Sequence, residues 1–91
     1  MKYSIKYSSK FKKGIKRCEK RGLDMALLKE AIALLGETGT LPPYYQAHKL
    51  SGTYKGFWEC HILNDWLMIW EQNDEEITLV LTDTGTHSDL F

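Results

Sequence analysis

Residues 53–82 read TYKGFWECHILNDWLMIWEQNDEEITLVLT, and this stretch decides the fold. It contains three runs rich in aromatic and β-branched residues, at 53–63, 66–72 and 76–82. Asn64-Asp65 and Asn73-Asp74 separate the runs, and such pairs favour the tight turns that join neighbouring antiparallel strands. A three-stranded antiparallel meander is expected. In its middle run Trp66, Met68 and Trp70 share one face and Leu67 and Ile69 the other, so at least one set should be fully packed.

Upstream of the meander the period changes. Tyr3, Ile5 and Tyr7 alternate with charged or polar residues over residues 2–7, which predicts a first strand with one buried face. Ser8 or Ser9 can cap a helix in which Phe11, Ile15 and Cys18 recur at i, i+4 and i+7 among lysines and arginines. Gly22 ends this helix. Asp24 is placed to cap a second one through Met25, Leu28, Ile32 and Leu35, widened by Leu27, Ala31 and Leu34 and broken over 36–43. Only Gly22 and Leu23 join the two helices, which favours an antiparallel helical hairpin. The order β-α-α-β-β-β predicts an α+β domain over 1–91, with the hairpin on one side of one twisted antiparallel sheet.

With 91 residues the chain is long enough for one modest core and too short for a second. Its 43% hydrophobic and 26% charged residues argue against disorder and against a fibrous chain. No apolar run approaches the roughly 18 residues of a membrane-spanning helix, and Met1-Lys2-Tyr3-Ser4-Ile5-Lys6 lacks the apolar region of a secretory signal. A cytoplasmic protein that does not enter a membrane is expected. Cys18 and Cys60 stand far apart without a CxxC spacing and are expected to be reduced packing residues.

The formal net charge of zero hides segregation. Residues 1–22 carry nine Lys/Arg and one Glu, whereas residues 23–91 carry three Lys and eleven Asp/Glu. The basic segment can attract an anionic backbone or an acidic protein, or it can be no more than a solvated helix face.

His48, His61 and His87 are the only histidines, and a meander could gather them. Imidazole takes and gives protons near neutral pH, so a cluster could supply both partners of an acid–base reaction, although any one histidine is more commonly structural. Asp65 lies four residues after His61 across the expected turn, and Asp83 and Asp89 bracket His87. A neighbouring carboxylate can orient an imidazole, but Asn64-Asp65 is also ordinary turn chemistry. Metal receives little support from the spacing, because Cys60 and His61 point to opposite strand faces and no HxxxH or CxxC pair occurs; no metal or other cofactor is assigned. Lys49 and Lys55 are interleaved with rings that include Tyr54, Phe57, Trp66 and Phe91. Rings stack on unpaired bases while cations meet phosphates, so Lys49, Lys55 and Trp66 are candidate RNA contacts.

Taken in order, the residues resemble the YafQ branch of the RelE superfamily of type II toxins. Tyr7-Ser8-Ser9-Lys10-Phe11 is similar to the family's opening. Leu41-Pro42 with Tyr45 and His48 follows, then Leu50-x-Gly52-x-Tyr54-Lys55-Gly56, Glu59-Cys60-His61, Asp65-Trp66 and the terminal Thr84-Gly85-Thr86-His87-Ser88-Asp89-Leu90-Phe91. The resemblance spans the chain. It implies a microbial ribonuclease fold and ribosome-dependent cleavage of messenger RNA, in which a ribose 2′-hydroxyl attacks the adjacent phosphate without a metal. It places the acid–base and substrate-contacting roles on His48, His61, Asp65, His87 and Phe91. It also implies a partner antitoxin that wraps the basic helix at Lys12, Lys13, Lys16 and Arg17, the toxin alone being monomeric.

Two positions depart from the family pattern. Trp58 and Asp83 stand where relatives usually carry arginine, and removal of one such electrostatic group commonly costs about 10²–10³ in rate. Asp83 would repel a phosphate that it faced. Lys49 or Lys55 could take over the lost charge. The alternatives are an antitoxin-binding module without activity, or a gyrase-poisoning relative, which is disfavoured by the histidine set.

Overall fold

A computed structural model describes residues 2–91. Strand β1 (Ser4–Tyr7) leads into helix α1 (Ser9–Lys20), and helix α2 (Met25–Thr38) follows. Ser8 is the N-cap of α1, its hydroxyl accepting from the Phe11 N–H at 3.0 Å. Asp24 caps α2 in the same way through the Ala26 N–H. Helix α2 runs past the expected stop at Gly36, where a side chain would collide with Ile5 and the carbonyl accepts from the Tyr3 N–H at 2.7 Å. It ends instead at Gly39, whose φ of 76° is the left-handed conformation that suits glycine at a helix C-terminus.

Strands β2 (His48–Lys49), β3 (Trp58–Leu63), β4 (Trp66–Asn73) and β5 (Thr78–Gly85) follow, and a short helix α3 (His87–Leu90) closes the chain. The first run of the meander starts five residues later than its composition suggests, because Gly52–Tyr54 form a 3-10 turn and Gly56 adopts a left-handed backbone. The third run is displaced toward the C-terminus, since Asn73 accepts the N–H groups of Glu75 and Glu76 and keeps that segment a turn.

The sheet order is β1-β5-β4-β3-β2. Strands β2 to β5 pair antiparallel, but β1 pairs parallel with β5, so the sheet is mixed rather than wholly antiparallel. The meander leaves the outer edge of β5 free, and the first strand fills it with Ser4 opposite Thr78 through Tyr7 opposite Leu81.

At Thr82 the register of β5 against β4 slips, and β1 stops. From there α1 takes the edge. The Ser8 hydroxyl donates to the Thr82 carbonyl and Arg17 donates to the Thr84 carbonyl, both at 2.8 Å. Gly14 makes this approach possible, since a Cβ there would stand 2.6 Å from the Thr84 carbonyl oxygen.

Both faces of the sheet are packed near its centre. On one face Phe11, Cys18, Leu28 and Leu35 of the helices meet Cys60, Met68, Trp70, Leu79 and Leu81. On the other, Leu67 and Ile69 are covered only by a smaller group, Leu50, Tyr54, Phe57 and Leu90. Burying each large apolar side chain stabilises the fold by about 1.5–3 kcal/mol, so the helix-covered face carries most of that gain. Both cysteines are free and buried. No helix is long and apolar enough to cross a membrane.

Candidate active site

The less covered face carries the polar chemistry. On β3 the alternation that turns Cys60 into the helical core turns Glu59 and His61 the other way, opposite Ile69 and Leu67 of β4. His48 of β2 pairs with Glu59, and α3 sets His87 and Phe91 beyond the end of β5.

The rings form an arc. Centroids of His48 and His61 are 6.5 Å apart, those of His61 and His87 6.3 Å, and those of His87 and Phe91 6.4 Å. Tyr54 then meets Phe91 edge-on at 5.5 Å. Phe91 is 61% exposed, so the arc ends on an open ring.

Hydrogen bonds distinguish the three imidazoles. His87 Nδ1 lies 2.7 Å from Asp65 Oδ1, and the same oxygen accepts the His87 backbone N–H at 3.1 Å. These bonds hold the Asp65 carboxyl below its ordinary pKa, the backbone bond most. They also place the Nδ1 proton toward the carboxylate and leave Nε2 uncommitted. His48 Nδ1 is 2.8 Å from the Gln46 carbonyl, which can only accept, while its Nε2 is 3.3 Å from Glu59 Oε1. Both nitrogens of His48 therefore face oxygen atoms, which fix the orientation of the ring. Among the described residues His61 makes no side-chain hydrogen bond, and it stands between the other two.

Glu59 was not singled out by the sequence reading. It is 4% exposed, and its Oε2 has no hydrogen-bond partner among the described residues. A carboxylate inside an otherwise apolar run, two positions from a histidine on the same strand face, was the available signal.

Helix α3 is positioned by its own cap and by α1. Thr86 and Asp89 exchange hydrogen bonds as a capping box. Arg21 donates to both oxygens of Asp89, and Arg17 Nε lies 3.3 Å from one of them. The Arg21 bonds, more than any other contact, hold the Asp89 carboxyl far below the usual range. Lys13, Lys16 and Lys20 join these two arginines around an open basic groove of about 500 Å³, and Lys12 is exposed on the same helix. Arg17 is thus an internal tether as well as part of that groove.

The expected RNA contacts scatter. Trp66 is 1% exposed, with its indole N–H donating to Thr84 Oγ1 at 3.0 Å, so it is a core residue and offers no ring to RNA. It shares its strand face with Met68 and Trp70 and packs with them against the helices. Lys49 alternates with His48 and lies with its ammonium over Trp58, on the helical side of the sheet. Trp58 itself stacks on Trp70 at 6.1 Å. Lys55 is exposed just after the 3-10 turn. Asp83 faces no open cleft: it is 2% exposed, 3.6 Å from Lys10 Nζ and 3.7 Å from Arg17. Among the described residues no group of three or more His, Cys, Asp or Glu is arranged to hold a metal ion.

Comparison with known proteins places this small mixed sheet, with two helices on one face and a histidine–carboxylate arc on the other, among the bacterial toxins of type II toxin–antitoxin systems. The model of the family described as bacterial toxin of type II toxin-antitoxin system, YafQ, matches residues 3–91. The chain belongs to the YafQ family. It is 39% identical over 88 residues to the mRNA interferase toxin YafQ of Escherichia coli strain K12, covering 96% of this chain and 94% of that protein. Its fold superposes with a TM-score of 0.89 on the crystal structure of the E. coli DinJ-YafQ toxin-antitoxin complex, at 36% identity and covering 100% and 99% of the two chains. A metal-bound toxin from Helicobacter pylori gives a TM-score of 0.87 at 38% identity, covering 98% and 99%.

Proposed function

We propose that this chain is the toxin of a type II toxin–antitoxin pair and an endoribonuclease that cuts messenger RNA on the ribosome, in the cytoplasm, without a metal. The observation that carries this reading is the arc of His48, His61 and His87 on an open sheet face, with Asp65 bonded to His87 at 2.7 Å.

In this reading His87 Nε2 takes the proton of the ribose 2′-hydroxyl, and Asp65 stabilises the imidazolium that forms. The 2′-oxygen attacks phosphorus, the bond to the 5′-oxygen breaks, and His61 gives the leaving oxygen a proton. The products are a 2′,3′-cyclic phosphate and a 5′-hydroxyl. His48, oriented by Gln46 and Glu59, contacts the phosphate rather than transferring a proton. Phe91 supports a base. Separating the acid and base onto rings whose centroids are 6.3 Å apart leaves room for a phosphate between them.

The partner is an antitoxin. An acidic segment of it is expected in the basic groove of α1, contacting Lys12, Lys13, Lys16 and the exposed part of Arg17. A toxin relative that crystallised as the DinJ-YafQ complex supports such a partner.

The test is cleavage of messenger RNA by purified protein and ribosomes in the presence of a chelator. Cleavage is expected with the native chain and absent from the His61→Ala/His87→Ala double variant. Activity that survives the double variant overturns the roles. Activity that requires an added metal overturns the metal-free chemistry, which the metal-bound relative makes a pointed outcome. Absence of cleavage together with tight antitoxin binding would make the chain an interaction module.

A further inference from the structure

Resting on the nuclease reading, we propose that Lys10 binds the phosphate of the RNA nucleotide whose base lies on Tyr54 and Phe91, one step along the strand from the scissile bond. The ammonium sits at the rim of the ring arc. It is 3.2 Å from the Tyr54 hydroxyl, to which it donates, and 3.6 Å from Asp83 Oδ2. It also stands 5.7 Å from the centroid of the Tyr54 ring, the ring that meets Phe91 edge-on at 5.5 Å. One nucleotide can therefore stack its base on the rings while its phosphate reaches the ammonium, the pairing of contacts by which unpaired strands are held.

The charge balance leaves Lys10 able to do this. The carboxylate of Asp83 accepts the Thr84 N–H at 2.8 Å and is shared between Lys10 and Arg17. One buried negative charge thus faces two cations. Arg17 is further committed to Asp89 and to the Thr84 carbonyl. Lys10 has three donors, of which one is used by Tyr54 and one points at Asp83. Its side chain remains 60% exposed, open to a ligand. The bond to Tyr54 raises the Lys10 pKa above its ordinary value, so the charge persists at neutral pH.

Position on the fold separates Lys10 from Lys49 and from the groove cations. Lys49 lies on the helical side of the sheet. The groove cations Lys13, Lys16 and Lys20 lie farther along α1, in a hollow that no aromatic ring lines. The buried carboxylate and the phenol hold Lys10 at the mouth of the histidine face, where a flexible lysine stem would otherwise be free to swing. The rings beside Lys10 favour RNA over an acidic peptide as the occupant.

The experiment is binding of a single-stranded RNA hexanucleotide, measured by fluorescence anisotropy across a series of salt concentrations, for the native chain, Lys10→Ala and Lys10→Arg. Lys10→Ala is expected to weaken binding about tenfold, the scale of one charge-assisted contact. Its dependence of log affinity on log salt should flatten by roughly 0.7, one phosphate on a single strand. Lys10→Arg should restore both. The thermal midpoint of Lys10→Ala should stay close to that of the native chain, because Arg17 and the Thr84 N–H still face the Asp83 carboxylate. Unchanged affinity and slope in Lys10→Ala overturn the proposal, as does a native chain that does not bind the hexanucleotide. A variant that loses affinity for the antitoxin and not for RNA overturns it in favour of an acidic peptide. Binding is read apart from cleavage, so Lys10-dependent binding without cleavage on ribosomes would sink the nuclease reading and leave only the contact between Lys10 and an RNA phosphate.

Discussion

The two faces of the sheet are built from the same strands and serve opposite ends. Along β3 each step changes sides: Glu59 out, Cys60 in, His61 out, Ile62 in. The inward set meets two helices and is dry. The outward set meets only a thin apolar layer around Leu67 and Ile69, and its histidines, unlike the buried Glu59, remain within reach of solvent. Strands therefore hold His48 and His61 and the capped α3 holds His87, while the cost of exposing them is offset on the far side. Substitutions on the two faces should separate activity from stability.

The largest effect belongs to the open face. His87→Ala should lower cleavage of ribosome-bound messenger RNA by about 10²–10⁴, the contribution of one general acid–base group. Its thermal midpoint should stay close to native, since the ring is exposed. A variant that loses midpoint and activity together would erase the distinction between the faces.

Phe11→Ala reverses the pattern. Phe11 is fully buried under the helices, and truncation should destabilise the fold by about 3–5 kcal/mol in denaturant titration. Cleavage per folded molecule should be retained. Gly14→Ala tests the seam between α1 and β5, where the added methyl meets a backbone oxygen rather than a movable side chain. Overpacking of this kind costs about 1–3 kcal/mol. Because α1 also tethers α3 through Arg17 and Arg21, activity should fall as well.

The smallest effect sharpens the comparison through pH. Burial pushes the Cys60 thiol up to about 12 from 9.0, so its contribution to stability is complete below pH 9 and is lost as pH rises toward 12. The slope is at most about 1.4 kcal/mol per pH unit. Cys60→Ala should show a shallower alkaline loss in chemical unfolding. On the open face the sign is opposite: Asp65 is held below 3.8 by His87, so that tie is intact above the ordinary carboxyl pKa and is lost as pH falls through the lowered one. Chemical shifts of the His87 ring should report the acid transition without global unfolding.

Much of the fold was legible because long elements carry a period. The two capped helices, the first strand and the three-strand meander all follow from apolar spacing and turn residues, and the structure neighbours share that architecture. Strand β2 has two residues, which is too few for alternation to register, and it exists through pairing with Glu59 and Trp58. Helix α3 is one turn long and was not expected; the Thr86–Asp89 capping box was the available signal. The polar end of β5, Thr82 to Gly85, does not read as a strand because its burial is supplied by α1 and not by its own side chains. Gathering of His48, His61 and His87 could be anticipated from residue type and the meander, with Asp65 across the turn from His61, whereas Phe91 entered the site only through the family resemblance. The buried partner of His48 could not be anticipated, since Glu59 becomes its neighbour only through the short strand. Lys10 escaped for a related reason: its place beside Tyr54 depends on α1 leaving the sheet at the end of β1.

That departure has a bearing on assembly. A strand with free carbonyls is a template on which another chain can polymerise or exchange a segment. Beyond Tyr7 the carbonyls of Thr82 and Thr84 are occupied by the side chains of Ser8 and Arg17, so this end of β5 offers an incoming strand nothing to zip onto. An inhibitor or partner that reaches this corner must come as a helix, a loop or a lone side chain, and a newly made toxin is protected there from aggregating through its own edge.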